Sequence, residues 1–456
     1  MGTIGAVIMA AGDGKRMKST QPKPMLEVLF RPMVDWVFDA AKKAGIEEIC
    51  VICPPGSTMQ EHFAGRAKTV DQRERLGTGH AVTQARAFIE ELADGEVIVL
   101  NGDIPLCTGE TIRSAIDYHR QNGNDVTVIT ARVKDPAGYG RIVRNDTGLA
   151  RIVEHKDADE ATLLINEINS GAYVFSAKAL LDSLDKLQNN NASGEYYLTD
   201  TIEHIIGAGG RADAFDAGDE RVVLGANDPW QLYELNRIAN ELSLRMHAAN
   251  GVRFVSLDGI IIAADAKIGA DTTILPGTII KGGCVIGSGC TIGPNTIVDH
   301  SRIGNNSIVN SSQVYHSRIG DGVTIGPFSQ IRPGCDIKDR AKVGDFVEVK
   351  NSVVGEKTSI AHLTYIGDSD VGSGVNFGCG VVTVNYDGKQ KARTTIGDHA
   401  FVGCNANLIA PVTIGDGAYV AAGTTVTEDV PSGDMAIGRA RQINKKGYAQ
   451  GRFTKK

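Results

Sequence analysis

The sequence lacks several features that would each identify a class of protein. Its apolar runs stay well short of the ~18 residues of a membrane span, and its first residues contain neither a secretory signal nor a myristoylation signal. It also lacks an excess of positive charge, because the formal net charge is -7 at pH 7. We therefore expect a cytoplasmic protein that binds neither membranes nor nucleic acid.

Paired cysteine motifs are lacking as well. Cys50 and Cys53 lie in an apolar run predicted to be a buried strand, where they would point to opposite faces, and Cys284 and Cys290 are one sequence repeat apart. Neither pair is accompanied by a second pair or by a histidine cluster. The eight cysteines thus argue against a zinc site and favour reduced thiols in a reducing compartment.

What the sequence does contain is a six-residue repeat from about residue 268 to residue 426. An aliphatic residue returns at every sixth position in two uninterrupted runs, Ile268, Ile274, Ile280, Ile286, Ile292 and Val298, and then Ile396, Val402, Leu408, Ile414, Val420 and Val426. The step shortens to five in places, as from Val314 to Ile319 and from Val349 to Val354.

Neither an α-helix nor an alternating strand has a six-residue period. The pattern indicates a solenoid of short parallel strands, in which stacked coils bury the aliphatic side chains in one column and small residues form the bends. A β-sandwich with coincidental spacing is the alternative interpretation.

The first half of the chain is typical of a parallel α/β sheet. Residues 4–10 form an apolar run that predicts a strand buried on both faces. A glycine turn follows at residues 11–17 and matches neither a Walker loop nor a dinucleotide fingerprint. Its backbone N–H groups could approach phosphates near Arg16 and Lys23. A helix over 32–44 and strands over 48–53 and 96–100 then alternate as βαβ units should.

Asp103 follows the end of the strand predicted at residues 96–100. Open α/β sheets bind ligands and metals beyond the carboxyl ends of their strands, so the carboxylate is a candidate metal ligand. A turn aspartate would explain the position equally well, and this segment alone leaves both interpretations open.

A helix is predicted between the two halves. Asp228 and Pro229 are typical of a helix start, Asn250 and Gly251 of its end, and an apolar stripe joins them at Leu232, Leu235, Ile238, Leu242 and Met246. Such a helix fits a connecting arm of ~33 Å or a helix packed within the first domain. We expect an α/β domain over 1–227, a helical arm over 228–251, a β-helix over 252–437 and a tail over 438–456.

The six-residue rhythm breaks between Val371 and Ile396. We expect the polar stretches 376–380 and 385–391 to form a loop there, and loops on rigid scaffolds are where functional residues concentrate. His362 lies just before the break. Alone it could equally be an ordinary surface histidine.

Several motifs together resemble those of sugar-1-phosphate nucleotidyltransferases, namely residues 10–17 (AAGDGKRM) with 22–23 (PK), 76–81 (LGTGHA), 102–103 (GD), 138–142 (GYGRI), 153–156 (VEHK), 167–169 (EIN) and 194–200 (GEYYLTD). Over nearly the whole chain, their order and spacing are similar to bifunctional enzymes that join an N-acetylglucosamine-1-phosphate uridylyltransferase to a glucosamine-1-phosphate N-acetyltransferase. The resemblance implies a Rossmann-like α/β nucleotidyltransferase domain joined by the arm to a left-handed parallel β-helix of hexapeptide repeats.

The resemblance also implies a reaction sequence of cell-wall precursor synthesis. The C-terminal domain would acetylate glucosamine-1-phosphate with acetyl-CoA. The N-terminal domain would then transfer UMP from UTP to N-acetylglucosamine-1-phosphate, with Mg²⁺ bound, and release pyrophosphate. Members of this family are homotrimers in which neighbouring subunits complete the acetyltransferase site.

The resemblance assigns residues of the first site position by position. The uridine nucleotide would contact Met9, Ala10, Ala11, Gly12, Gln72, Gly77 and Thr78, with Arg16 and Lys23 facing its phosphates. The amino sugar would contact Gly140, Glu154 and Asn169, and Asp103 and Asn227 would hold Mg²⁺, Asn227 also facing the nucleotide. Lys15 replaces the threonine common in the family, which leaves the detailed phosphate contacts open.

For the second site, the resemblance makes His362 the general base. Arg332, Lys350, Tyr365 and Asn376 would bind the sugar phosphate, and acetyl-CoA would contact Cys379, Asn385, Tyr386, Cys404, Ala422 and Arg439. Cys379 and Cys404 replace the alanine and serine more usual there. The basic tail, with Lys445, Lys446, Arg452, Lys455 and Lys456, would either cover the coenzyme phosphates or form a solvated end.

Two other classes of protein share this pairing of domains. One is a single-function sugar-1-phosphate nucleotidyltransferase with a structural or regulatory β-helix, and the other is a non-catalytic interaction protein. Lys23, Asp103 and Asn227 argue against the second, whereas His362 with the polar loop that follows argues against the first.

Overall fold

The computed structural model describes residues 2–12, 14–92, 94–146 and 148–452. The chain forms two compact units, residues 1–239 and 240–456. The helix Pro229–Ala249 crosses the division between them, and the finer four-part division stays a prediction. Lys455 and Lys456 of the predicted basic tail lie outside the described residues. Within the described ranges, no helix combines the length and apolar character needed to span a bilayer.

A mixed sheet forms the centre of the first unit. From one edge to the other, its main path runs Ala212–Asp216, Val126–Arg132, Glu167–Ser176, Glu96–Asn101, Ile4–Met9, Glu48–Cys53 and Lys68–Asp71. Ile4–Met9 pairs in parallel with Glu48–Cys53 and Glu96–Asn101, whereas Glu167–Ser176 is antiparallel to its neighbours. A hairpin of Arg141–Asn145 and Gly148–Val153 joins the sheet through one pair, Ile168 with Arg141.

Helices cover both faces of this sheet, which explains why its central strands are apolar along their whole length. Cys50 packs into the cluster on one face and Cys53 into the cluster on the other, as predicted. The α-helices are Met33–Lys43, Thr58–Phe63, Thr78–Gln84, Arg86–Glu91, Gly109–Asn122, Glu160–Leu163, Ala177–Leu184 and Asp200–Gly207. Shorter elements are the strands Glu27–Val28 and Arg31–Pro32 and the 3₁₀ turns Lys15–Met17, Lys23–Met25, His155–Asp157 and Glu220–Val223.

Very short strands in the second unit stack into three parallel sheets within the described residues. The first contains Arg253–Phe254, Thr273–Ile274, Thr291–Ile292, Ile308–Val309, Thr324–Ile325, Lys342–Asp345, Ser359–His362, Asn376–Phe377, Phe401–Val402, Tyr419–Val420 and Met435–Ala436. The second contains Ile261–Ile262, Ile279–Ile280, Ile297–Asp299, Gln313–Tyr315, Gln330–Ile331, Glu348–Lys350, Tyr365–Gly367, Val382–Val384, Asn407–Ile409 and Thr425–Val426. The third contains Lys267–Ile268, Val285–Ile286, Arg302–Ile303, Arg318–Ile319, Asp336–Ile337, Val353–Val354, Ser369–Val371, Thr394–Ile396 and Val412–Ile414.

Each coil takes one strand from each sheet, and the repeated aliphatic side chains form one buried cluster along the coils. The predicted parallel solenoid with an aliphatic interior is therefore confirmed. Most of the five-residue steps fall at the corner between the second and third sheets, where His300, His316, Asn351 and Asp368 have φ between 42° and 48°. The step from Val309 to Val314 falls at a different corner, where Ser311 has φ of 43°.

The predicted loop over residues 376–380 is wrong. Asn376–Phe377 is a strand paired with Ser359–His362 and with Phe401–Val402, and the Phe377 side chain is buried in the column. The repeat continues because an aromatic side chain occupies an aliphatic position. The loop proper lies between the strands Val382–Val384 and Thr394–Ile396 and contains a bridge from Tyr386 to Lys391.

Buried hydroxyl groups connect successive coils at the corners. The Thr358 Oγ1 donates to the Gly372 carbonyl at 2.7 Å and accepts from the Val375 N–H at 3.1 Å. Ser307 makes the same pair of bonds with Gly320 and Val323. Because Thr358 and Ser307 are fully buried, each hydroxyl satisfies main-chain groups that would otherwise be unpaired.

Thr358→Val should therefore destabilise the second unit by about 1–3 kcal/mol, since the isosteric change leaves the buried Val375 N–H without an acceptor. Chemical denaturation followed by circular dichroism measures the change. The control is Thr395→Val on the exposed face of a neighbouring strand, which should stay within about 0.5 kcal/mol of the parent. Equal stability of the two variants would contradict the assigned role.

Two candidate active sites

The turn after the first strand lies at the carboxyl edge of the sheet. Ala10 donates its N–H to the Ile52 carbonyl at 3.0 Å, and Gly102 donates to the Met9 carbonyl at 2.9 Å. The Arg75 Nε donates a hydrogen bond to the Ala11 carbonyl of this turn at 2.9 Å. Three adjacent strand ends are thus tied together, in the place where open α/β sheets bind ligands.

Lys23 connects two residues that are far apart in the chain. Its Nζ lies 2.5 Å from the Asp103 Oδ2 and 2.8 Å from the Asn227 Oδ1. The Lys23 side chain is 11% exposed and that of Asp103 is 26% exposed, so the charges meet in a partly desolvated cleft. The two oxygens predicted to hold a metal therefore share one cation.

Polar residues form the wall of this cleft nearest Glu154. Asn169 donates from Nδ2 to the Tyr173 hydroxyl at 2.6 Å, and the Thr199 Oγ1 donates to the Glu154 Oε1 at 3.4 Å. Burial raises the pKa of Glu154 above its usual value. A carboxyl group held in this way is suited to accept hydrogen bonds from the hydroxyl or amide groups of a sugar.

Gly77 brings the helix Thr78–Gln84 close to this cleft. Its φ is 110°, and a Cβ there would lie 2.5 Å from the Tyr196 carbonyl oxygen. Only glycine fits such a conformation and such an approach. The Thr78 Oγ1 then accepts the Leu198 N–H at 3.0 Å, which joins the 76–81 and 194–200 motifs.

The structure brings most residues predicted for the first site to two adjoining cavities. One cavity is lined by Met9, Lys23, Thr78, Asp103, Gly140, Glu154, Asn169 and Asn227, and the other by Met9, Ala11, Gly12, Lys23, Gln72, Gly77, Thr78 and Asp103. Ala10 instead points into the core, so only its backbone is available to a ligand. Arg16 is exposed and outside both linings.

In the second unit, His362 is paired with a carboxylate in the preceding coil. The Nδ1 of His362 lies 2.6 Å from the Asp345 Oδ1, and the hydrogen bond lowers the pKa of Asp345. The two residues are direct register partners on adjacent strands. Because Asp345 accepts the Nδ1 proton, the Nε2 of His362 carries a free lone pair, as a general base requires.

Asp368 accepts hydrogen bonds from several side chains near the predicted sugar-phosphate residues. It contacts the Lys350 Nζ at 3.1 Å and the Asn351 Nδ2 at 2.6 Å, and it accepts a further short bond from Asn385. Burial opposes its ionisation, but these hydrogen bonds more than offset that effect and lower the pKa of Asp368. Asn385 therefore lies with Lys350, on the side predicted for the sugar phosphate.

The other predicted sugar-phosphate residues occupy the same sheet or its neighbour. Arg332 donates from Nη1 to the Glu348 Oε1 at 2.7 Å, and Glu348 pairs with Tyr365 in the ladder. A Cβ on Gly367 would meet the Tyr365 hydroxyl, so glycine leaves room for that ring. Asn376 is exposed on the adjoining sheet.

Residues predicted for acetyl-CoA continue the corner that carries His362. The Asn405 N–H donates to the Cys379 carbonyl at 2.8 Å, and the Gly423 N–H donates to the Cys404 carbonyl at 2.8 Å. Cys379, Cys404 and Ala422 thus follow one another in successive coils, and Arg439 donates to the Ala422 carbonyl. Tyr386 lies instead in the loop, 56% exposed.

Several residues beside the predicted ones were not found from the sequence, namely Asn101, Tyr139, Tyr173, Thr199, Asp345 and Asp368. Asp345 was detectable, because it lies 17 residues before His362, about one coil. The six-residue repeat implies this spacing when three strands make a coil. Tyr173 and Thr199 carry no such signal, since their positions depend on how strands and helices pack.

Comparison with known proteins supports both units. The family model described as nucleotidyl transferase matches residues 5–230, and the model described as bacterial transferase hexapeptide (six repeats) matches residues 265–300, 316–351 and 393–428. A bifunctional protein GlmU from Acetivibrio thermocellus is 48% identical over 442 residues, covering 96% of each chain. One from Caldanaerobacter subterraneus is 47% identical, covering 99% of this chain and 98% of the relative.

The chain belongs to the bifunctional GlmU family. A third relative, from Clostridium acetobutylicum, is 44% identical and matches 97% of both chains. The predicted fold class is confirmed: a nucleotidyltransferase domain precedes a left-handed β-helix of hexapeptide repeats. The predicted function is confirmed too, as a bifunctional enzyme of UDP-N-acetylglucosamine synthesis with uridylyltransferase and acetyltransferase activities. Both rival classes are thereby set aside.

Proposed function

We propose that the cleft around Lys23 is the uridylyltransferase site and that the corner carrying His362 is the acetyltransferase site. The observation that carries the first assignment is the contact of one ammonium group with both Asp103 and Asn227. These residues come from separate motifs, and the same cleft is lined by Thr78 and Glu154. Five separate parts of the chain, counting Lys23, thus contribute polar groups to one place.

Asp103 and Asn227 fit a divalent ion such as Mg²⁺. Both offer hard oxygen donors, the ligand type that Mg²⁺ prefers, and both already contact a positive charge. A bound Mg²⁺ offsets negative charge on phosphate oxygens. The remaining ligands of such an ion would be water and the nucleotide, as is usual at phosphoryl-transfer sites.

The residues around the cleft account for the uridylyl transfer. The backbone of the turn at Ala11 and Gly12 binds and orients the nucleotide, while Glu154 and Asn169 orient N-acetylglucosamine-1-phosphate through its sugar. A phosphate oxygen of this substrate then attacks the α-phosphorus of UTP, and the bond to pyrophosphate breaks. The Lys23 ammonium stabilises charge on the phosphates during the transfer.

His362 accounts for the acetyl transfer. Its Nε2 takes a proton from the amine of glucosamine-1-phosphate as the nitrogen attacks the thioester carbonyl of acetyl-CoA. The carbon–sulfur bond then breaks, and coenzyme A leaves as the thiol once its sulfur is protonated. Asp345 fixes the tautomer and orientation of the ring and stabilises the imidazolium. Lys350 and Arg332 offset the charge of the sugar phosphate.

Three further assignments complete this proposal. Acetyl-CoA binds along the corner formed by Cys379, Cys404 and Ala422, which continues coil by coil from His362. The protein acts in the cytoplasm, which agrees with all eight cysteines being free thiols. The active form is a homotrimer.

The trimer assignment rests on an apolar ladder made of Phe328, Phe346 and Leu363. These side chains are 60%, 56% and 58% exposed, and the two phenylalanine rings stack with centroids 5.4 Å apart. Their φ values are 59°, 56° and 43°, which is costly for bulky residues. Leu363 directly follows His362, so a second copy that covers the ladder would also border the acetyltransferase site.

Single substitutions should separate the two activities. Asp103→Ala removes a metal ligand and should abolish pyrophosphate release from UTP while CoA release stays near normal. His362→Ala should do the reverse and lower acetyl transfer by ~10²–10⁴-fold. Coupled assays for CoA and for pyrophosphate on the same preparations measure both. If either change silenced both reactions in folded protein, the division between the sites would be wrong.

Removing the apolar ladder should dissociate the trimer and stop acetyl transfer first. Phe328→Ser with Phe346→Ser replaces two exposed rings, so the fold of a single chain should survive. Light scattering should then report a monomer, with CoA release lost and pyrophosphate release retained as the internal control. A monomer with full acetyltransferase activity would contradict the proposal, as would a variant that stays trimeric.

A further inference from the structure

Two histidines stack on each other at the five-residue corner of the β-helix. The rings of His300 and His316 have centroids 5.0 Å apart and planes 13° apart. Their coils are joined at this point, because the His316 N–H donates to the Asp299 carbonyl at 2.9 Å. The stacked coils therefore hold the two histidines side by side, outside both proposed sites.

Asp299 orients one of the two rings. Its Oδ1 lies 2.6 Å from the His300 Nδ1, and its Oδ2 lies 3.2 Å from the Lys281 Nζ. The Asp299 side chain is 14% exposed, whereas that of His300 is 57% exposed. With its Nδ1 proton bound to Asp299, the neutral His300 ring keeps the lone pair of Nε2 available as a ligand. A carboxylate behind a histidine is the usual support of a metal-binding imidazole.

We propose that His300 and His316 form a binding site for a divalent transition metal such as Zn²⁺ or Ni²⁺, with Asp299 as the orienting residue. One donor atom from each of the three residues lies within 4.8 Å of the others. Imidazole nitrogen suits these metals better than Mg²⁺. The stacking places the two imidazoles within reach of one ion, and rotation of the exposed His316 ring about its broad terminal torsion would turn its nitrogen toward that ion.

A metal bound here would link two successive coils. The unfolded chain does not hold His300 and His316 together, so the ion binds the folded state preferentially and stabilises it by mass action. The site would act on the stability of the β-helix and leave the two reactions unchanged.

Zinc titration of untagged full-length protein, with Mg²⁺ in excess to occupy oxygen sites, tests the proposal. The parent should bind one Zn²⁺ per chain at this site and unfold at a higher temperature with it. His300→Gln or His316→Gln should weaken binding at least ~10-fold, and Asp299→Asn by ~10–100-fold. Both histidines are exposed, so these variants should fold.

His399→Gln is the matched control, because His399 is an exposed corner histidine with φ of 57° and has no stacked partner among the ring pairs of the described residues. It should bind zinc like the parent. Equal zinc affinity in the parent, His300→Gln and His316→Gln would overturn the proposal. So would a loss in His399→Gln as large as that in His316→Gln.

Lys23 also bears on the order in which metal and nucleotide bind in the cleft around it. This second inference rests on the proposed function of that cleft. The Lys23 ammonium contacts both oxygens assigned to the metal. An ammonium group that contacts both oxygens disfavours a divalent ion there, because like charges repel in a partly desolvated cleft. Movement of Lys23 away from these oxygens would therefore favour metal binding.

The negative charge of nucleotide phosphates would attract the Lys23 ammonium away from these oxygens. Lys23 lines the cavity that includes Gly12 and Gln72 as well as the one that includes Asn169. A Cβ on Gly14 would lie 2.8 Å from the Lys23 Cβ, so the glycine turn packs directly on the lysine stem. We infer that phosphates bound at this turn attract the ammonium and free Asp103 and Asn227, which makes nucleotide and metal binding mutually dependent.

Mn²⁺ binding to the full-length chain, followed by electron paramagnetic resonance without nucleotide, tests this dependence. Lys23→Met keeps the stem but removes the charge, and should tighten Mn²⁺ binding ~10-fold or more, whereas Lys23→Arg should not. UTP should strengthen Mn²⁺ binding to the parent far more than to Lys23→Met.

Asp103→Asn separates the two ways in which this inference could fail. If Asp103→Asn binds Mn²⁺ as tightly as the parent, the proposed metal site itself is wrong. If Asp103→Asn loses Mn²⁺ but Lys23→Met binds it no more tightly than the parent, the metal site stands and the inferred competition with Lys23 is wrong.

Discussion

Hydrogen bonding between successive coils is the constraint on which the second unit depends. All three sheets are parallel and in register, so each position in one coil lies beside the equivalent position in the next. A residue type that recurs once per coil therefore forms a row of neighbouring side chains along the surface. Inward positions form the aliphatic column. Outward positions at the corners bring together Asp345 with His362, Cys379 with Cys404, and His300 with His316. Buried hydroxyls such as Thr358 maintain this register by bonding to main-chain groups of the next coil.

The first unit also brings distant polar residues together, but it does so through the packing of its sheet. Its central strands are buried on both faces, so chemistry is confined to the carboxyl edge of the sheet, where Met9, Asn101 and the following turns meet. Opposite charges then determine the local arrangement. Lys23 and Asn227 are 204 positions apart, yet the lysine joins Asn227 to Asp103. The geometry of the cleft therefore depends on a cation that belongs to the chain.

The sequence predicted most of the architecture because the signals for it are local. A six-residue period is visible without knowing any contact, and apolar runs identify strands that are covered on both faces. The prediction failed at residues 376–380, where Phe377 replaces an aliphatic residue in the column. A pattern defined by side-chain branching misses an aromatic ring that fills the same space. The resemblance assigns Asn385 to the coenzyme, and this assignment stays a prediction. The structure adds its contact with Asp368 beside Lys350.

The sequence by itself determined which chemical groups the chain carries and how often they return: the aliphatic repeat, the glycine turn, and the cations and carboxylates of each motif. Only the tertiary structure decided which of them meet. The shared contact of Lys23 with Asp103 and Asn227 joins residues that no local pattern connects. The pairing of His362 with Asp345 and the stacking of His300 on His316 agree with the spacing of one coil, but only the register of the coils shows that these side chains meet. The physical reason is that coil register and strand order are fixed by packing and hydrogen bonds over the whole of each unit, whereas sequence periodicity reports only the conformation of the segment in which it occurs.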